Sequence, residues 1–118
     1  MLLERRHVDR DRRQDGRVLA VFAVRNVIGT RPQLGQAEDI GPSGITLRRP
    51  RELPVPLHTP LSLSFELPGT RSSIDVKGLV VSDQRSGHFR RTGIRFTEVS
   101  REIAERLAEF CLQRGESL

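Results

Sequence analysis

Leu61-Ser62-Leu63-Ser64-Phe65-Glu66-Leu67 alternates apolar and polar residues without interruption. Successive side chains of a strand point to opposite faces, so a period of two predicts a β-strand with one buried and one wet face. Pro68-Gly69 ends it. Shorter versions of the same signal recur. Residues 18–24 are a β-branched run bounded by Gly16 and Asn26, and 36–40, 45–48, 74–81 and 92–97 read as further strands, with Gly78 a candidate bulge. Residues 29–35 are turn-prone. Pro50, Pro54, Pro56 and Pro60 make 50–60 a stiff connector that cannot join a central strand. The one convincing helix spans 101–114, with Ser100 as its N-cap and Gly115 just past its end. Ile103, Leu107, Phe110 and Cys111 form its apolar stripe. About six short strands and a closing helix predict an all-β, mainly antiparallel fold: a small six-stranded β-barrel with a C-terminal α-helix, because closure removes exposed edges.

A chain of 118 residues is one domain, long enough to bury about two thirds of its unfolded surface without staples. Its five Phe, without Trp or Tyr, leave the core to Leu, Val and Ile. They also argue against a single-strand nucleic-acid platform, which needs exposed aromatics for stacking. The lone Cys111 excludes an intramolecular disulfide, and with three scattered histidines it excludes a Cys-rich zinc site. No Ser-His-Asp arrangement and no phosphate loop is visible, so catalytic and metal sites are expected to be absent. The start of the chain lacks a signal-peptide core and no run could span a membrane, so a cytoplasmic location without membrane insertion is expected.

Residues 1–16 mix Arg5, Arg6, Arg10, Arg12 and Arg13 with Glu4, Asp9, Asp11 and Asp15. This segment reads as a flexible arm before a barrel domain at 17–118. Its acids argue against a basic, sequence-independent nucleic-acid binder, a reading that the net charge of +5 alone would allow. Of twenty basic residues only Lys77 is lysine. Arginine forks suit phosphate and guanine, but GC-rich codon usage is the better account of such a bias, so only arginines placed by a pattern count.

Asp39-Ile40-Gly41-Pro42-Ser43-Gly44 supplies a carboxylate and a glycine turn just before a strand. A carboxylate accepts from the N1–H and N2–H₂ edge of guanine, and arginine forks bind phosphate bidentately. The pair suggests a guanine nucleotide. The same residues would equally make a hairpin whose turn Asp39 caps. The spacing Arg-x-x-x-Arg occurs three times, at Arg6/Arg10, Arg13/Arg17 and Arg91/Arg95, about as often as chance provides.

Glu4-Arg5-Arg6-His7-Val8-Asp9-Arg10 and Asp39–Gly44 together resemble the two motifs of the PilZ domain, the bacterial receptor module for cyclic di-GMP. Gly41 stands where that family has serine. The resemblance implies a non-enzymatic effector that couples cyclic di-GMP to a partner protein, with Arg5, Arg6, Arg10, Asp39, Ser43 and Gly44 as ligand contacts and no cofactor. It treats Arg13 as a bystander. The alternative is a degenerate PilZ-like module that binds protein and no nucleotide.

Overall fold

The computed structural model describes residues 16–116. Six strands, β1 (Val18–Ile28), β2 (Arg31–Ile40), β3 (Gly44–Pro50), β4 (Pro60–Glu66), β5 (Ser73–Ser86) and β6 (Phe89–Glu98), precede one helix, α1 (Arg101–Glu116). They close into an antiparallel barrel in the order β1-β2-β3-β6-β5-β4. Two three-stranded meanders, β1-β2-β3 and β4-β5-β6, are thus joined along two seams. The β3–β6 seam runs from Gly44↔Arg95 to Pro50↔Phe89. The β1–β4 seam is shorter, from Arg25↔Ser64 to Val27↔Ser62.

Alternation decides which side chains fill the barrel. In β4 the apolar residues Leu61, Leu63 and Phe65 are buried and Ser62, Ser64 and Glu66 are exposed. Val24, Ile40, Ile45, Leu47, Ile74 and Val80 complete the interior from the other strands. α1 begins as expected, since Ser100 Oγ accepts from the Ile103 N–H at 3.2 Å. Its stripe of Leu107, Phe110 and Cys111 is buried. Burial pushes the Cys111 thiol up to about 11, with the nearby Arg17 charge opposing, and the thiol donates to Ile40 O at 3.6 Å. This is an inert core cysteine.

Several boundaries differ from the sequence expectation: β1 runs past Asn26 to Ile28, β5 continues to Ser86 and β6 starts at Phe89. The turn at 29–35 shrinks to Gly29-Thr30, because Gly29 at φ +63° reverses the chain alone, and Pro32 joins β2 opposite Val27. Pro50 and Pro60 lie at strand ends, where a missing N–H is tolerated, and leave only 51–59 as connector. α1 continues through Gly115.

Gly78 sits where the β5–β6 register shifts, as expected of a bulge. A Cβ there would lie 2.6 Å from Ile94 Cγ2 and 2.8 Å from Arg95 O. Gly78→Ala is therefore expected to lower stability by about 1–3 kcal/mol, the range for forcing atoms into a filled site. Urea denaturation would measure it.

Candidate functional site

The outer face around the β2–β3 hairpin is built by a bulge. Alternation would send Glu38 and Asp39 to opposite faces, but the register shifts between Ala37 and Asp39. Ala37 and Ile40 stay buried while both carboxylates turn outward and remain half-buried. Ile40 and Ile45, paired across the hairpin and fully buried, anchor the turn between them. The Gly41 N–H donates to Gly44 O at 2.8 Å, and Ser43 O accepts from the Phe96 N–H at 2.8 Å. Gly44 is required by packing, because a Cβ would lie 2.5 Å from Ile94 O. The Ser43 residue is exposed at the tip.

The chain enters the barrel beside this turn. A side-chain carbon on Gly16 would sit 3.4 Å from Pro42. Next in sequence, Arg17 donates from Nε to Asp39 Oδ1 at 3.0 Å and from a terminal nitrogen to the same oxygen at 2.6 Å and to Thr46 Oγ1 at 2.9 Å. Asp39 is thus engaged by an arginine fork, not by the N–H groups of the turn. About a quarter of each side chain remains exposed, so a competing ligand has access to both.

Glu38 is held by two further guanidinium groups. Arg91 donates to it at 2.7 and 3.2 Å and Arg48 at 2.6 Å. The Arg91 hydrogen bond leads in holding the Glu38 carboxyl below its ordinary value; burial opposes and Arg48 adds to the lowering. Arg48 also lies 4.5 Å over the Phe89 ring. Asp39, Thr46, Glu38, Arg48 and Arg91 line one open groove of about 650 Å³, whose far wall is Leu19 and Val21. Those two residues are 81% and 68% exposed, an apolar strip beside a polar one.

Of the residues proposed from sequence, Asp39 lines this groove, while Ser43 and Gly44 stand in the adjoining turn and are not among its lining residues. Arg5, Arg6 and Arg10, with the arm up to residue 15, lie outside the described residues. Sequence reading missed Arg17, Thr46, Glu38, Arg48 and Arg91. A signal existed for Arg17: antiparallel pairing of β1 with β2 sets Val18 opposite Ile40 and Leu19 opposite Asp39, which brings the residue before Val18 to the carboxylate. Among the described residues no three His, Cys, Asp or Glu side chains could together hold a metal ion, and no helix is long and apolar enough to cross a membrane.

Comparison with solved structures recovers the same barrel. The inhibitor of motility MotI/DgrA of Bacillus subtilis superposes with a TM-score of 0.77 at 17% identity, over 86% of this chain and 50% of that one. The PilZ domain of CeSA from a cellulose-synthesizing bacterium gives 0.62 at 14% identity, over 82% and 95%. YcgR of Escherichia coli, solved in complex with c-di-GMP, gives 0.63 at 14% identity, over 86% and 46%. At such identities the likeness is one of fold. The chain spans about half the length of MotI and YcgR, and no curated protein matches it. A PilZ domain model matches residues 11–113, a span that holds Arg13, Arg17 and Asp39–Gly44 and starts after Arg10. The chain belongs to the PilZ domain family.

Proposed function

We propose that the chain is a non-enzymatic, cytoplasmic effector that binds cyclic di-GMP in the groove beside Asp39 and passes the signal to a partner protein. The observation that carries this reading is the Arg17–Asp39 pair at the root of the arm. A carboxylate matched to a guanine edge and a fork matched to phosphate stand in contact, each about a quarter exposed, beside a glycine turn. The ligand exchanges their contacts: Asp39 turns to guanine and Arg17 to a phosphate. The pair keeps some solvent contact, and a pair open to water contributes only about 0–1 kcal/mol, so its exchange for ligand contacts carries a modest penalty. The remaining phosphate contacts come from the arm, by Arg5, Arg6 and Arg10 in the register suggested by sequence. Arg13 replaces them in a second register, favoured by the position of Arg17 and by the start of the family match.

Calorimetric titration with cyclic di-GMP tests the reading. Binding in the micromolar range or weaker is expected, because Gly41 lacks the hydroxyl of the family serine. Neither heat nor chemical-shift change at about millimolar ligand would overturn it, and would favour the reading in which the groove, with exposed Leu19 and Val21, contacts protein only.

Gly41→Ser supplies that hydroxyl. Gly41 is not among the glycines with positive φ, so an L side chain is admissible on the backbone. Affinity is expected to rise about tenfold, the value of one hydrogen bond. A lower melting temperature without gain in affinity would show that the buried turn has no room for the hydroxyl.

A further inference from the structure

A second polar site lies inside the barrel, toward the β1–β2 hairpin. Asn26 is fully buried, and neither its Nδ2 nor its Oδ1 has a hydrogen-bond partner among the described residues. Arg49, 4% exposed, has an unpartnered Nε. Its terminal nitrogens reach Gln33 Oε1 at 3.1 Å and Thr92 Oγ1 at 3.4 Å. The nearest carboxylate to Arg49 is Asp83, at 3.7 Å, and Arg90 already holds that group at 2.9 Å. Two guanidinium groups therefore share one carboxylate in a dry setting, where an under-compensated charge is expensive. Burial, with Arg90 adding and Asp83 opposing, holds the Arg49 pKa below its ordinary value.

Between these groups and the 51–59 connector lies a cleft of about 370 Å³, lined by Arg31, Gln33, Arg49, Glu52, Val55 and Thr59 among others. It shares no lining residue with the Asp39 groove. Arg31 is exposed at its side, and Glu52 stands 3.8 Å from Arg51. We infer that this cleft is a binding site for an oxyanion group, carboxylate or phosphate, seated against Arg31 and Arg49. Such a group supplies the acceptor that Arg49 Nε lacks, while Gln33 and Thr92 hold the terminal nitrogens of the same fork. The site is independent of cyclic di-GMP and gives the domain a second input.

The test is a titration of isotope-labelled protein with inorganic phosphate, and separately with acetate, against sodium chloride at matched ionic strength. The Arg49 Nε–H resonance is expected to move saturably with one or both oxyanions and not with chloride; whichever acts assigns the group. Arg31→Gln, at an exposed position, is expected to weaken the apparent affinity about tenfold. Arg49→Met is no sufficient test alone, because it also strips Asp83 of a partner. A static Arg49 resonance with both anions, or a response that Arg31→Gln leaves unchanged, overturns the site.

Discussion

Asp83→Ala is expected to destabilise the domain by about 3–5 kcal/mol, the range for removing one partner of a buried charge network. The Asp83 carboxylate is 5% exposed. It accepts from Thr92 Oγ1 at 2.7 Å, Arg90 Nε at 2.9 Å and the Val55 N–H at 3.1 Å. Alanine leaves the Arg49 charge buried without a counterion and frees the connector from the barrel at Val55. Chemical denaturation of both proteins measures the loss. The same network gives a pH signature. Burial pushes the Asp83 carboxyl up, but the Thr92, Val55 and Arg90 hydrogen bonds prevail and set it below its ordinary 3.8. A carboxylate with a depressed folded-state pKa stabilises fully above the unfolded value and loses that contribution as pH falls through the folded one. Wild-type stability should therefore decline below about pH 4, more steeply than that of Asp83→Asn, which has no proton to take up there. Equal slopes would mean that Asp83 is not the titrating group.

The second large effect concerns ligand affinity. Arg17→Ala is expected to weaken cyclic di-GMP binding by about 1.5–3 kcal/mol, the value of a charge-assisted hydrogen bond, with lysine unable to restore a bidentate fork. Stability should change by no more than about 1 kcal/mol, because the Arg17–Asp39 pair is part-exposed. Paired titrations then settle the register of the arm. The sequence resemblance expects Arg6→Ala and Arg10→Ala each to cost about 1.5–3 kcal/mol and Arg13→Ala to be near neutral. Losses at Arg13 and Arg17 with neutral Arg6 and Arg10 would instead assign the copy adjoining β1. Unchanged affinity in Arg17→Ala would overturn the contact exchange altogether.

Much of the barrel was legible because alternation is a one-dimensional signal. Leu61 to Leu67 declares its inward face without reference to any other strand, and the Ser100 cap and the Leu107–Cys111 stripe do the same for α1. Proline and glycine misled where tertiary pairing overrode local preference. Pro32 lies within β2 opposite Val27, and Gly115 remains in the helix. The site was half legible. Asp39 and its turn stand in one contiguous motif. Arg17 belongs to a spacing that occurs three times, and only the register of β1 on β2 singles it out. Glu38 faces outward because of a bulge, a property of paired strands that neither strand carries alone. Arg48 and Arg91 meet Glu38 across three strands, so no linear pattern joins them.

The two meanders carry a consequence for chain exchange. Each is assembled from hairpins between sequence neighbours, whereas the β3–β6 and β1–β4 seams join distant residues and must overcome the entropy of closing a long loop. With both seams open, each half presents two bare edges whose register fits only the complementary half. A second copy offers that complement as well as the chain's own does. Reciprocal swapping of halves is thus the dimerisation route that this topology opens. The 51–59 connector sets its odds: Pro54 and Pro56 stiffen it, and the hydrogen bond from Val55 to Asp83 ties it down on its own barrel. Loosening that one tie would free the connector to extend and let the halves of two molecules pair with each other.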